Sequence, residues 1–323
     1  MLDAGDLFFK KFAGPFPEAS IPGATEKAQL MLESFNIMGY DAMGIGDDDL
    51  TLGKEVLAGL SKKAKFPFLS SNVMDEETGK VLFEPSLIKM ISGLRIGIFS
   101  LLSPDLFSGP GDSRRKGIVI RDPAEVAQEM VKELQPKTDL IILLSHLSYP
   151  KDMEFAQAVS GIHLIVGGHT GMHLAFPPIV KNSVILQTGL KGMYAARFHL
   201  TFNDGEAGFY NVQTKRSLQD NLTNVQIRLN AAVTQEAQKV QLRKTKEDIE
   251  KRLGQFRGKN EFENVIVPLT EQIQEHPEIA KRIEAYKTKF PETASTSTPQ
   301  PEPPGPRTGP RAGPRAGASG PTK

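Results

Sequence analysis

Asp139-Leu140-Ile141-Ile142-Leu143-Leu144-Ser145-His146 is a continuous apolar run that ends on two polar residues. Its length suits a strand, and its unbroken apolar character marks a strand buried on both faces. Met153 to Val159 follows as a short helix. His163 to Val166 is a second strand, ending in Gly167-Gly168-His169-Thr170-Gly171. Strand, helix, strand is the repeating unit of a parallel sheet.

The alternation extends outward in both directions. Upstream, Asp122-Pro123 is a helix start, an acidic N-cap followed by proline at the first helical position. Val126, Met130, Val131 and Leu134 form that helix's stripe, and Arg95 to Leu101 is the strand before it. Further back, Ala28, Met31, Leu32 and Phe35 occupy one helix face, closed by Met38-Gly39. A short buried strand covers Asp41 to Gly46, a helix is marked by Leu50, Leu57 and Leu60, and another short strand covers Phe66 to Val73. Downstream, Val184 to Gln187 and Ala195 to Phe202 are strands. Asn203-Asp204-Gly205 is a hairpin turn, with Gly208 to Gln213 as the returning strand. Met1-Leu2-Asp3-Ala4-Gly5-Asp6 reads as the end of a strand entering a loop, so the chain is expected to begin partway into its first domain. Residues 1 to about 213 are therefore expected to form an α/β domain with a mixed sheet or two stacked sheets.

Residues 214–290 are expected to be a helical extension. Leu218, Leu222, Val225 and Leu229 keep helical spacing, and Val240, Ile249, Leu253 and Phe256 resume it in a shifted register. This suits one long amphipathic helix or two, coiled-coil-like, packed back on the domain or self-associating through residues 215–260. A partner-binding helix is the sharper alternative. Pro277 to Tyr286 reads as another short helix. From Pro291 to Lys323 the composition collapses to Pro, Gly, Ala, Ser, Thr and Arg, which predicts a disordered tail. Its Gly-Pro-Arg units recur every four residues, which excludes a collagen helix.

Composition narrows the function. Lys plus Arg (39) balances Asp plus Glu (38), and this lack of basic excess argues against nucleic acid as partner. No apolar run approaches the ~18 residues of a membrane span. With no cysteine in the chain, thiolate metal sites and thiol catalysis are excluded. No basic segment leads into an apolar one, so no signal peptide is visible.

Polar residues gather where strands end: Gly5-Asp6, Gly46-Asp47-Asp48-Asp49, Ser145-His146 and Gly167-Gly168-His169. Ligands of open α/β sheets bind at the carboxyl ends of strands. Two histidines and two or more aspartates there form an oxygen and nitrogen set that suits Zn, Mn or Fe. Each piece alone has a duller reading. Gly-Asp is common in turns, a strand-end histidine often caps, and an acidic triplet often opens a helix.

Taken together and in order, these pieces resemble the metallophosphatase domain of the 5'-nucleotidase/UDP-sugar hydrolase group, among the calcineurin-like metallophosphoesterases. The resemblance covers residues 1 to about 213. Leu2-Asp3-Ala4-Gly5-Asp6 resembles the family's Gly-Asp block, and Gly46-Asp47-Asp48-Asp49-Leu50 its Gly-Asn-His-Glu-Phe block. Leu144-Ser145-His146 resembles the next block, and Val166-Gly167-Gly168-His169-Thr170-Gly171 the one ending Gly-His-Thr-His. The resemblance implies two stacked mixed sheets flanked by helices. It implies that Asp6 bridges two metals and that Asp47, in place of an asparagine, His146 and His169 complete the second metal's ligands. It places Asp48 where the family has the histidine that polarises the phosphoryl oxygen and leaving group, which makes Asp48 the catalytic candidate.

The departures from the family pattern fall on the first metal. The opening Asp-x-His motif is absent from this chain, and the last histidine of Gly-His-Thr-His is Gly171, with His173 two residues on. One retained divalent-metal site is thus expected. The implied function is metal-dependent hydrolysis of a phosphate ester, a nucleotide among the candidates, by metal-activated water. The alternative is a catalytically degenerate binding or scaffold module on the same fold. The resemblance points to the periplasm or cell envelope if an upstream segment is missing, and the location is otherwise open.

Overall fold

The computed structural model describes residues 1–10, 16–109, 111–204, 207–231 and 235–291. The expected tail, from residue 292 on, and Gly205 of the expected turn lie outside the described residues. Within them the chain is mixed α/β. The elements run β1 (Leu2–Asp3), α1 (Ile21–Met38), β2 (Ala42–Gly44), α2 (Lys54–Ser61), β3 (Phe68–Leu69), β4 (Val73–Asp75), β5 (Ser86–Ile91), β6 (Leu94–Leu102) and β7 (Ile118–Ile120). They continue with α3 (Pro123–Leu134), β8 (Leu140–His146), α4 (Tyr149–Ala158), β9 (Leu164–Gly167), β10 (Ile179–Val180), β11 (Ser183–Leu186), β12 (Tyr194–Thr201) and β13 (Phe209–Asn211). Last come α5 (Val212–Asn230), α6 (Glu236–Gly254), β14 (Asn260–Pro268) and α7 (Pro277–Lys289).

The decisive apolar run is β8, at the middle of a sheet ordered β10-β11-β9-β8-β6-β5. It runs parallel to both neighbours, with Ile142 opposite Ile98 on β6 and Leu164 on β9. Successive side chains of a strand point to opposite faces, and β8 is buried on both. Ile141 and Leu143 pack with Val126, Val131 and Leu134 of α3 and Ala156 of α4. Ile142 and Leu144 pack with Ala4, Ala42 and Leu69 around the parallel β1-β2-β3 sheet. Met43 and Phe68 bury the other side of that small sheet under α1 and α2, against Leu32, Phe35, Leu57 and Leu60. The layers are therefore helices, sheet, sheet, helices, and the parallel strands of both sheets end on one side. α3 starts as its sequence dictates, with the Asp122 carboxylate accepting from the N–H groups of Ala124 and Glu125.

Two local readings are corrected. Phe66 to Val73 is two strands, since β3 joins β2 while β4 pairs with β7. The 195–202 and 208–213 segments do not form a hairpin. β14 lies between them, antiparallel to β12 and parallel to β13. The segment after residue 214 is thus not purely helical. It contributes the middle strand of a third sheet, with Phe262 fully buried and stacked on Phe198. α5 and α6 form an antiparallel helical pair. Leu218, Leu222, Val225 and Leu229 meet Leu242, Ile249, Leu253 and Phe256, while Val240 points out. α7 returns to α1 through ion pairs of Arg282 with Glu33 and Lys289 with Glu26. Among the described residues, no helix is long and apolar enough to cross a membrane.

Candidate metal centre

The loops after β1, β2, β8 and β9 meet at one point. Asp6, Asp47, His146 and His169 each bring one ligand atom there, all within 4.8 Å of one another. His146, the last residue of β8, is fully buried, and its Nε2 lies 3.0 Å from Asp6 Oδ2 and 3.3 Å from Asp47 Oδ1. His169 Nδ1 is 3.4 Å from the same Asp47 oxygen. The other nitrogen of His146, Nδ1, donates to the Ala4 carbonyl at 2.7 Å. A carbonyl only accepts, so this bond keeps a proton on Nδ1 and turns Nε2 toward the carboxylates.

That arrangement calls for a cation. His146 Nε2 and Asp47 Oδ1 are buried with no hydrogen-bonding partner of good geometry, although they face each other. Such orphans are costly unless something else satisfies them. Burial opposes a charge on His146, yet the contacts with Asp47 and Asp6 outweigh it and hold the imidazole well above its ordinary pKa. Burial also works to raise Asp47, but His146, His169 and the charge of Arg114 prevail and hold it below the usual carboxylate range. Two oxygens and two imidazole nitrogens at this spacing fit a borderline divalent ion. Asp6 and His169 both sit in the left-handed backbone region, at φ 62° and 63°. Such conformations cost on the order of 1–3 kcal/mol and gather at functional sites.

Residues not foreseen as site residues build the frame. The fully buried Asp49 carboxylate accepts from the N–H groups of Asp6, Leu7, Phe8 and Gly46 at 2.9–3.1 Å. It ties the loop after β1 to the loop after β2. These loops touch so closely that a Cβ on Gly5 (φ 104°) would meet Gly46 N at 2.3 Å. Asp6 Oδ1 accepts from the Asp48 N–H at 2.8 Å. Behind the histidines runs a buried polar chain. Ser145 Oγ donates to Asp152, Gln187 Nε2 donates to Asp152 at 3.0 Å, and Gln187 Oε1 accepts from Thr170 Oγ1 at 3.2 Å. It links the residue before His146 to the residue after His169.

Asp48, the catalytic candidate, stands beside this cluster, its carboxylate paired with Arg114 at 2.9 Å. Arg114 also holds Asp47 Oδ2. Nothing in the run Asp112-Ser113-Arg114-Arg115 marks it as part of the site. His173 is not brought in and packs on Tyr194, ring centroids 4.7 Å apart. Over Gly171 lies Leu190, whose Cγ would be 1.9 Å from a Cβ there.

No family model matches the chain. A 5'-nucleotidase of Vibrio cholerae is 30% identical over 234 residues, 63% of this chain and 41% of that protein. The crystal structure of a 5'-nucleotidase precursor from Thermus thermophilus is also 30% identical, with a TM-score of 0.50 over 64% of this chain and 42% of that one. The calcineurin-like phosphoesterase YfkN from Bacillus subtilis shares the fold, with a TM-score of 0.56 at 16% identity, over 89% of this chain and 82% of that one. The chain carries a metallophosphoesterase domain of the 5'-nucleotidase type. This metallophosphoesterase domain spans about two fifths of the length of the 5'-nucleotidases it matches. The candidate metal centre lies where the parallel strands of both sheets end.

Proposed function

We propose that the domain hydrolyses a phosphate ester with one divalent cation held by Asp6, Asp47, His146 and His169. The observation that carries this reading is the meeting of their four ligand atoms, two of them buried and without a hydrogen bond. A bound cation supplies Lewis acidity, lowering the pKa of a water and polarising a phosphoryl oxygen. The residues of the chain hold that chemistry in place. The Ala4 carbonyl orients His146, the Asp48 N–H orients Asp6, and Asp49 keeps both loops together. Asp48 shares the single positive charge of Arg114 with Asp47 and Asp112, which offsets only part of its repulsion of an incoming phosphoryl group. In the reaction a water oxygen bonds to phosphorus, the ester P–O bond breaks, and the alcohol leaves with a proton. The Vibrio cholerae and Thermus thermophilus proteins are named 5'-nucleotidases, which makes nucleoside 5'-monophosphates the first substrates to test.

The test is phosphate release from a panel of phosphate esters with Mn²⁺ or Zn²⁺, comparing wild type with His146→Ala and His169→Ala. Metal-dependent release lost in both variants supports the reading. A second reading, a binding module on the same fold, is favoured by Leu190 lying over Gly171 and by His173 packing on Tyr194. Folded wild-type protein with no release above the two variants selects that module.

A further inference from the structure

The two oxygens of Asp47 have different surroundings. Oδ1 faces His146 and His169, while Oδ2 accepts from Arg114 Nη1. The same Nη1 donates to Asp48 Oδ1 at 2.9 Å. Arg114 is itself held firmly. Asp112 accepts from its Nε at 3.1 Å and its Nη2 at 2.8 Å, and the Leu106 carbonyl accepts from Nη2 at 3.3 Å. All five guanidinium N–H donors are thereby engaged. The plane is backed by the Phe107 ring, 5.0 Å from Cζ, and the side chain is only 11% exposed. With no donor to spare, this arginine is built to hold carboxylates.

We propose that Arg114 is the positioning residue that makes Asp47 a one-oxygen ligand. It takes Oδ2 in a charge-assisted bond and turns Oδ1 into the histidine-lined centre, and it offsets part of the charge that Asp47, Asp48 and Asp112 place beside it. Partners of this kind orient a metal ligand without touching the metal. The inference rests on the proposed metal centre, and a separate arm of the test reports on that centre.

Co²⁺ is titrated into the full chain and followed by its visible absorption, with folding checked by circular dichroism. The proteins are wild type, Arg114→Gln, Asp47→Asn, the double variant and His146→Ala. Arg114→Gln is expected to weaken Co²⁺ binding by about 10–100-fold and to shift the absorption band, because Asp47 is then free to bind through both oxygens. The double variant is expected to bind Co²⁺ no more weakly than Asp47→Asn alone, since Arg114 acts through the carboxylate. If the two losses multiply, or if Arg114→Gln leaves affinity and band unchanged, the proposal is overturned. Should Arg114→Gln fail to fold, Arg114→Lys replaces it under the same criteria, since an ammonium keeps the charge but cannot span the three carboxylates. Undiminished Co²⁺ binding by His146→Ala brings down the metal centre itself, whatever Arg114 does.

Discussion

The Ala4 carbonyl accepts the Nδ1–H of His146 at 2.7 Å, so a loop on one sheet sets the ring of a histidine at the end of a strand in the other. Gly168 makes room for that bond. A Cβ there would stand 3.0 Å from His146 Nδ1 and 3.2 Å from the Ala4 oxygen. Gly168→Ala is expected to lower Zn²⁺ affinity about tenfold, as loss of such an orienting partner does, with the fold retained. Unchanged affinity by calorimetric titration would show that the bond does not set the ring.

Asp49→Ala removes both accepting oxygens from the backbone N–H groups of Asp6, Leu7, Phe8 and Gly46. Leaving buried donors unpaired costs about 1–3 kcal/mol each. Burial and the Asp6 charge push the Asp49 carboxyl up to about 7, against the bonds from Gly46, Phe8 and Asp6. The folded wild type therefore loses stability as pH rises from about 4 to about 7, and the substitution costs most at acid pH. At about pH 5, urea unfolding is expected to show a loss of about 2–3 kcal/mol. No loss would mean that these bonds do not hold the two loops together.

Gly171 has φ 62° and lies beneath Leu190. Gly171→Ala meets both obstacles, and a stability loss of about 1–3 kcal/mol is expected. Adding Leu190→Ala should recover the part due to overlap and leave the backbone part. Equal unfolding midpoints for the single and double variants would contradict the assigned overlap.

Asp152 gives a pH dependence. Burial pushes its carboxyl up to about 7, against the hydrogen bonds from Ser145 and Gln187. In the unfolded chain an aspartate titrates near 4. The folded state therefore holds the proton more tightly, and stability falls as pH rises from about 4 to about 7, then levels off. Asp152→Asn can offer its oxygen to Gln187 and its amide to Ser145 in place of the protonated acid. Thermal midpoints in chelator across that range should fall less steeply in the variant. Parallel profiles would rule out Asp152 as a contributor.

Phe262 on β14 is fully buried and stacked on Phe198 of β12. Phe262→Ala is expected to cost about 3–5 kcal/mol, and a chain ended at residue 213 to lose the single cooperative unfolding transition. A sharp, wild-type-like transition in the shortened chain would show that residues 1–213 fold alone.

The fold was legible in the sequence where burial is continuous or periodic. β8 is apolar at each position from Leu140 to Leu144, and α3 announces itself with Asp122-Pro123. That Asp6, Asp47, His146 and His169 come together was legible because they stand at strand ends, where parallel topology gathers them. Arg114 was not, because it reaches Asp47 from a short turn far along the chain, and no spacing rule encodes such a pair. Asp49 was hidden in its triplet, since three adjacent carboxylates look alike until the backbone shows which one turns inward. β14 escaped for a different reason. Its buried positions Asn260, Phe262 and Asn264 do alternate with Glu261 and Glu263. With two asparagines among the three, hydrophobic periodicity carries little signal.

The central place of β14 also orders the events of synthesis. β12 and β13 leave the ribosome well before the strand that joins them. Chains grow at roughly 5–20 residues per second, so both must wait several seconds with their hydrogen-bonding edges open. The α5–α6 pair is complete before β14 emerges and can bring its own end, next to β14, back towards the gap. The core that Phe262 shares with both parallel sheets therefore stays incomplete until synthesis has passed β14.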